Sequence, residues 1–311
     1  MRLRRILTAA TLTLSLAGVT ACAGDDLGND DSSGDGSKGT IVLSGQNFDS
    51  ATVLSNLYRM LLEKGDYEVD TKLVATRDLY MQQMPDDVDV VPEYVGGLVD
   101  FLNTTQNGAD AERVTTADLD ETLKAAEPLL DKAGVSLLEP AQATDANAFF
   151  VSKDYADKLE LEKLSDLKGK SVVLAAHPDC APRADCAKGL EDDYGIKISK
   201  VLTTGFATDA TYKSVLDGES QLGLTSTSDG TLEEQGLVLL EDDLAIQPVQ
   251  NLVPAVSKKF LADHPDVADI LNALMEVLTT EDLVELNRQV SVERVKAADV
   301  ARNYLEDNDL L

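Results

Sequence analysis

Two hydrophobic periods alternate along most of the chain. Thr40 to Leu43 is a short β-rich run that ends in Ser44-Gly45-Gln46-Asn47. Behind it Val53, Leu54, Leu57, Leu61 and Leu62 fall on one helical stripe, with Asp49 or Ser50 placed to cap it. Tyr67 to Val74 alternates apolar and polar residues and predicts a second strand. A short helix at Leu79 to Met84 and a buried strand at Val88 to Val91 follow. Pro92-Glu93 then opens a predicted helix through Leu102, since proline suits a first helical turn.

The same grammar continues downstream. Glu121 to Ala133 reads as a helix interrupted at Pro128, Val135 to Leu138 and Ala148 to Val151 as strands, and Leu164 to Lys170 as a helix and turn feeding a strand at Ser171 to Ala175. Ala184 to Tyr194 and Thr208 to Leu216 have helical spacing, while Ser199 to Thr203, Leu222 to Leu224 and Leu237 to Leu240 are extended. From Lys258 onward the chain is nearly all helix, in three amphipathic pieces with breaks near Pro265, Thr279-Thr280 and Ser291. Strand and helix in alternation predict an α/β protein whose sheets carry helices on their faces. Two such lobes facing each other would enclose a cleft at the carboxyl ends of their strands, where small ligands gather.

Composition narrows what that cleft serves. The chain has 311 residues with 27 Lys+Arg against 56 Asp+Glu, a net charge of −29. Such a surface cannot supply the positive field that a nucleic-acid backbone requires, so no nucleic-acid partner is expected. With no Trp, two His and three Cys, little is left for haem, iron–sulfur or zinc chemistry, and no cofactor or metal is expected. An enzyme is not expected either. The sequence contains no Gly-x-Ser-x-Gly, no His-Glu-x-x-His and no P-loop.

The N-terminus carries its own pattern. Residues 1–21 hold Arg2, Arg4 and Arg5 and no acid, then an apolar stretch from Ile6 to Val19, which reads as an export signal. Val19-Thr20-Ala21-Cys22 resembles the bacterial lipobox, which makes Cys22 the expected lipidated residue. The Gly/Ser/Asp-rich residues up to 39 form a tether with almost nothing to bury. A lipid-anchored protein on the outer face of the cell membrane is the expected location. Export also fits the remaining cysteines. Cys180 and Cys186 are an even pair for a disulfide in an oxidising compartment, worth about 2–2.5 kcal/mol in the chain-entropy model. His177 with these two cysteines lacks the fourth ligand of a zinc site.

Several short motifs add a family resemblance. They are Ser44-Gly45-Gln46-Asn47-Phe48, Asp89-Val90-Val91-Pro92-Glu93-Tyr94-Val95-Gly96, the Ser228-Asp229-Gly230 turn, Asn251-Leu252-Val253-Pro254 and Leu286-Asn287-Arg288-Gln289-Val290. In this order the body, roughly Thr40 to Leu311, resembles the substrate-binding proteins of ABC importers for glycine betaine, choline and related osmoprotectants. The resemblance implies a type II periplasmic-binding-protein-like fold, two α/β lobes joined by two crossover strands near Asp145 to Phe150 and Gln247 to Pro254. Residues 40–146 would form the first part of lobe 1, 147–250 lobe 2, and 251–311 the C-terminal helices of lobe 1. It also implies a monomer that captures a small zwitterionic or quaternary-ammonium solute, closes on it, and delivers it to a membrane permease.

In the family a trimethylammonium head lies in a cage of aromatic rings. Carried over residue by residue, Tyr94 matches a cage tyrosine, Arg183 the arginine that meets a carboxylate, and Asp145 a polar residue before the first crossover. Asn147, Ser226 and Gln250 stand where tyrosines are common, and Gln46, beside Asn47, where a lysine is common. Three rings becoming two amides and a hydroxyl give a second reading, a same-fold receptor for a more polar solute, unless Phe48, Phe149 or Phe150 supply replacement rings. Arg183 is also placed to pair with Asp179 or Asp185, and Tyr212 reads as core or lobe surface rather than ligand contact.

Overall fold

The computed structural model describes residues 37–108 and 111–311. The export signal, Cys22 and the tether up to residue 36 lie outside the described residues. No helix among the described residues is long and apolar enough to cross a membrane.

The chain begins with β1 (Thr40–Gln46), α1 (Asp49–Lys64), β2 (Glu68–Val74), α2 (Arg77–Met81), β3 (Val90–Tyr94), α3 (Val95–Asn107), α4 (Leu119–Ala133) and β4 (Val135–Leu137). It continues through β5 (Asn147–Ser152), α5 (Lys153–Leu159), a 3-10 turn at Leu164–Leu167, β6 (Ser171–Ala176), α6 (Ala187–Asp192) and β7 (Lys197–Thr203). Then come α7 (Asp209–Leu216), β8 (Leu222–Ser226), α8 (Leu232–Gln235) and β9 (Leu237–Leu240). It ends with β10 (Leu252–Ser257), α9 (Lys258–Asp263), α10 (Asp266–Met275), α11 (Thr280–Ser291) and α12 (Ala297–Asp307).

These strands form two five-stranded sheets of matching topology, β2-β1-β3-β10-β4 and β7-β6-β8-β5-β9. In each, two strands flank a central one in parallel, and the fourth strand enters antiparallel to both its neighbours. The entering strands, β10 and β5, are those that follow the two passages between sheets. The passages run side by side. Thr144 bridges Asn251, and the Asp145 amide donates to the Gln250 carbonyl at 3.0 Å.

Each sheet has its own core. The α1 stripe Val53, Leu54, Leu57, Tyr58, Leu61 and Leu62 is buried, and it packs with Ile41, Leu43 and the C-terminal helices. A second cluster of Val91, Val95, Leu98 and Val253 covers the other face of the first sheet. Phe149, Val151, Leu174, Leu222 and Leu224 form the core of the second.

Three expectations about elements are corrected. Pro92 and Glu93 belong to β3, and the helix starts at Val95. The register sets Pro92 opposite Pro254 on β10, so neither chain has an N–H to give at that pair and proline is tolerated inside the sheet. Neither Asp49 nor Ser50 caps α1, because the N-cap position is Phe48 and no side chain accepts there. The C-terminal region forms four helices, the first closed off after Asp263 before Pro265.

Candidate functional site

The strand ends that face the cleft carry most of the polar motifs. In the first sheet these are the ends of β1 and β3 and the passage entering β10; in the second, the loops after β6, β7 and β8 and the start of β5. A cavity of about 820 Å³ opens between the two sets, walled by Phe48 to Ser50 on one side and by Phe206, Tyr212 and the turn 225–231 on the other. Asn287, Ser291, Val292 and Arg294, at and beyond the C-terminal half of α11, close one end.

Of the eight residues singled out from the sequence, Asp145 and Ser226 line this cavity. Asp145 accepts a hydrogen bond from Ser228 Oγ at 2.8 Å. Burial raises its pKa above the ordinary carboxylate value, against the opposing pull of the Ser228 and Ser226 hydroxyls and Tyr94. Tyr94 ends β3 behind this group. Burial first, and the Asp145 charge second, hold its phenol well above the ordinary range, so it stays protonated at neutral pH.

The others are engaged elsewhere. Gln46 is half-buried at the end of β1 opposite Val74, and exposed Asn47 donates its amide to the Val74 carbonyl at 2.8 Å. Both lead into Phe48. Gln250 Oε1 accepts from the Gly97 amide at 3.0 Å, while the Val249 and Asn251 carbonyls accept from Gly96 and Val95. The second passage thereby satisfies the free amides at the start of α3 and leaves no anion site there. Asn147 directs Nδ2 to Asp185 Oδ2 at 3.4 Å. Arg183 makes a two-pronged pair with the same aspartate, Nε to Oδ1 at 2.9 Å and Nη2 to Oδ2 at 2.6 Å. Of the two partners available in the sequence, Asp185 holds the fork and Asp179 stands off at 3.7 Å. Cys180 and Cys186 form a disulfide that closes the loop carrying Arg183 and Asp185.

Aromatic rings in the cavity come from positions other than those of the family's cage tyrosines. Phe149 and Phe150 are 1% and 0% exposed in the second core and are unavailable. Phe48 and Phe206, at 47% and 41%, are the exposed aromatic rings among the described residues, and both line the cavity, one from each sheet's side. Tyr212, read above as core or surface, also lines it and donates its hydroxyl to Asp229 at 2.7 Å. The signal for Phe206 was an apolar ring directly after a strand end, in Thr203-Thr204-Gly205-Phe206, where nothing local needs one.

The walls are also electronegative. Asp49, Asp145, Asp209, Asp229 and Glu234 line the cavity against one basic side chain, Arg294. Asp229 is saturated by Tyr212, Thr225 and the amide and hydroxyl of Thr231, so its role is to hold the turn. Asp145 and the exposed acids remain on the cavity wall. Glu93, in contrast, is buried away from the cavity, gripped by Arg77 at 2.8 and 2.9 Å and by the Tyr80 hydroxyl.

Two mixed sheets of matching topology joined by paired passages, with a cleft walled from both, define a type II periplasmic-binding-protein fold. The chain belongs to the family described as the substrate binding domain of ABC-type glycine betaine transport systems, which matches residues 39–307. That family consists of transporter substrate-binding proteins rather than enzymes. The chain is similar to a glycine-betaine-binding protein of Pseudomonas aeruginosa, 24% identical over 285 residues, covering 88% of this chain and 89% of that one. It is also similar to the glycine betaine-binding protein YehZ of Escherichia coli, 28% identical over 230 residues, covering 71% and 74%. The fold matches apo YehZ from Escherichia coli with a TM-score of 0.72 at 23% identity, over 88% of this chain and 99% of that one. These similarities do not favour the reading of a different, more polar ligand.

Proposed function

We propose that this protein is the extracytoplasmic receptor of an ABC importer, tethered through Cys22, which captures a trimethylammonium solute such as glycine betaine and hands it to the permease. The observation that carries this is the cavity, where one aromatic ring from each side faces walls rich in carboxylates. A quaternary ammonium is poorly hydrated for its charge, so ring faces and fixed carboxylates together favour it over a strongly hydrated cation. Each ring contributes about 0.5–1 kcal/mol when exposed and ~2 kcal/mol once desolvated, so closure of the lobes tightens binding. The basic leader, the lipobox-like Val19 to Cys22 and the acidic tether support the location, and membership of the transporter family supports the permease as partner.

Calorimetry with glycine betaine, choline and carnitine tests the reading. At least one should bind saturably, and the double variant Phe48→Ala, Phe206→Ala should weaken it by about tenfold. Absence of binding by all three, or affinity indifferent to the rings, would overturn it.

A further inference from the structure

Glycine betaine and carnitine carry a carboxylate as well as an ammonium, so a receptor for them gains from a cation that can meet that carboxylate. Arg77, Arg113 and Arg183 are already engaged. Arg77 holds Glu93 with two nitrogens. Arg113 pairs with Asp100 at 3.2 Å and donates Nε to Thr115 at 2.8 Å. Arg183 holds Asp185 with Nε and Nη2, and its Nη1 meets His177 Nε2 at 3.2 Å. A ligand carboxylate at Arg183 would have to share the guanidinium with one already in a two-pronged pair.

Arg294 differs from all three. It lines the cavity, is solvent-exposed, and makes no ion pair with a carboxylate among the described residues. Its backbone lies at φ 61°, the left-handed region that a residue with a Cβ enters only at a cost. Its neighbours impose that conformation. The Glu293 carboxylate holds Arg288 Nη2 at 2.9 Å, and the Val295 amide donates to the Gln289 carbonyl at 3.0 Å, so the turn is fastened to α11 on both sides. Glycine would fit this backbone more easily, yet an unpaired guanidinium is held there on the cavity wall.

We propose that Arg294 is the residue that meets the ligand's carboxylate, and that Arg183 serves to hold the Asp185 loop. This rests on the proposed trimethylammonium site, and it assigns the second pole of that site. The test is calorimetry of the full mature protein with glycine betaine and with choline, which has no carboxylate. Arg294→Gln should weaken glycine betaine by about 10- to 100-fold and leave choline within about threefold. Arg294→Gly should show the same selective loss together with a higher Tm, because the strained backbone is relieved. Equal losses for both ligands, or no loss for glycine betaine, would overturn the assignment. So would a selective glycine betaine loss in Arg183→Ala with none in Arg294→Gln. If the unaltered protein binds neither ligand, the trimethylammonium reading itself falls, and this assignment with it.

Discussion

Burial raises the pKa of Asp145 above its ordinary value of 3.8, and two serine hydroxyls that favour the charged form do not reverse this. The folded state therefore holds a proton over a pH range where the unfolded chain has lost it. Stability from this group falls as pH rises through that window and stays lower above it. Asp145→Asn keeps an acceptor for Ser228 and removes the buried charge. Thermal melts should show a higher Tm than the parent at pH 7, with the gain vanishing near pH 3, while choline affinity at pH 7 falls. A lower Tm at pH 7 would mean that the ionised carboxylate is stabilised by its partners more than burial costs it. The family resemblance pointed to Asp145, as a match to a polar residue before the first crossover. The sequence could not rank Arg183 as ligand contact or loop partner, because Asp179 and Asp185 are both within reach in sequence and only the fold of the disulfide loop chooses between them.

Among the elements, strands and long helices were legible because burial dictates their period. The α1 stripe is the clearest case, with its predicted positions all buried. The Pro92-Glu93 error has a physical cause. Proline at a helix start and proline at an unpaired ladder position look alike along the chain, and the choice depends on β10, some 160 residues later. A second contact invisible in sequence is the seat of the Ser228-Asp229-Gly230 turn on α11. A Cβ on Gly230 would lie 2.4 Å from the Val284 carbonyl oxygen and 2.6 Å from the Arg288 nitrogen, both backbone atoms that cannot swing aside. Beside it Asn287 Nδ2 donates to the Ser228 carbonyl at 2.9 Å. Gly230→Ala should lift this turn from the helix, destabilising the protein by about 1–3 kcal/mol and weakening ligand binding through displaced Ser228. Chemical denaturation and calorimetry on the same preparation measure both effects.

At the level of the whole molecule, two lobes, their order and the side on which the cleft opens followed from alternating periods and the family resemblance. The rings did not. Phe206 and Phe48 lie far apart in sequence, on opposite sides of one cavity, and no local pattern pairs them. The net charge of −29 first served to exclude nucleic acid. Five carboxylates now bring that sign into the cavity itself, where it favours the ammonium end of a solute.

The late return of β10 to the first sheet also sets an order of assembly. Every strand of the second sheet lies between Asn147 and Leu240, so that sheet is one uninterrupted stretch of chain. The first sheet lacks the strand between β3 and β4 until residues 252–257 arrive. During export, which delivers the chain from its N-terminus, the first lobe must wait with β3 uncovered while the second completes itself. Residues 147–250 expressed alone should therefore melt cooperatively, whereas residues 40–146 should show no cooperative transition until a chain containing β10 is supplied. Circular dichroism of each fragment alone, and of residues 40–146 mixed with residues 251–311, which contain β10, decides it.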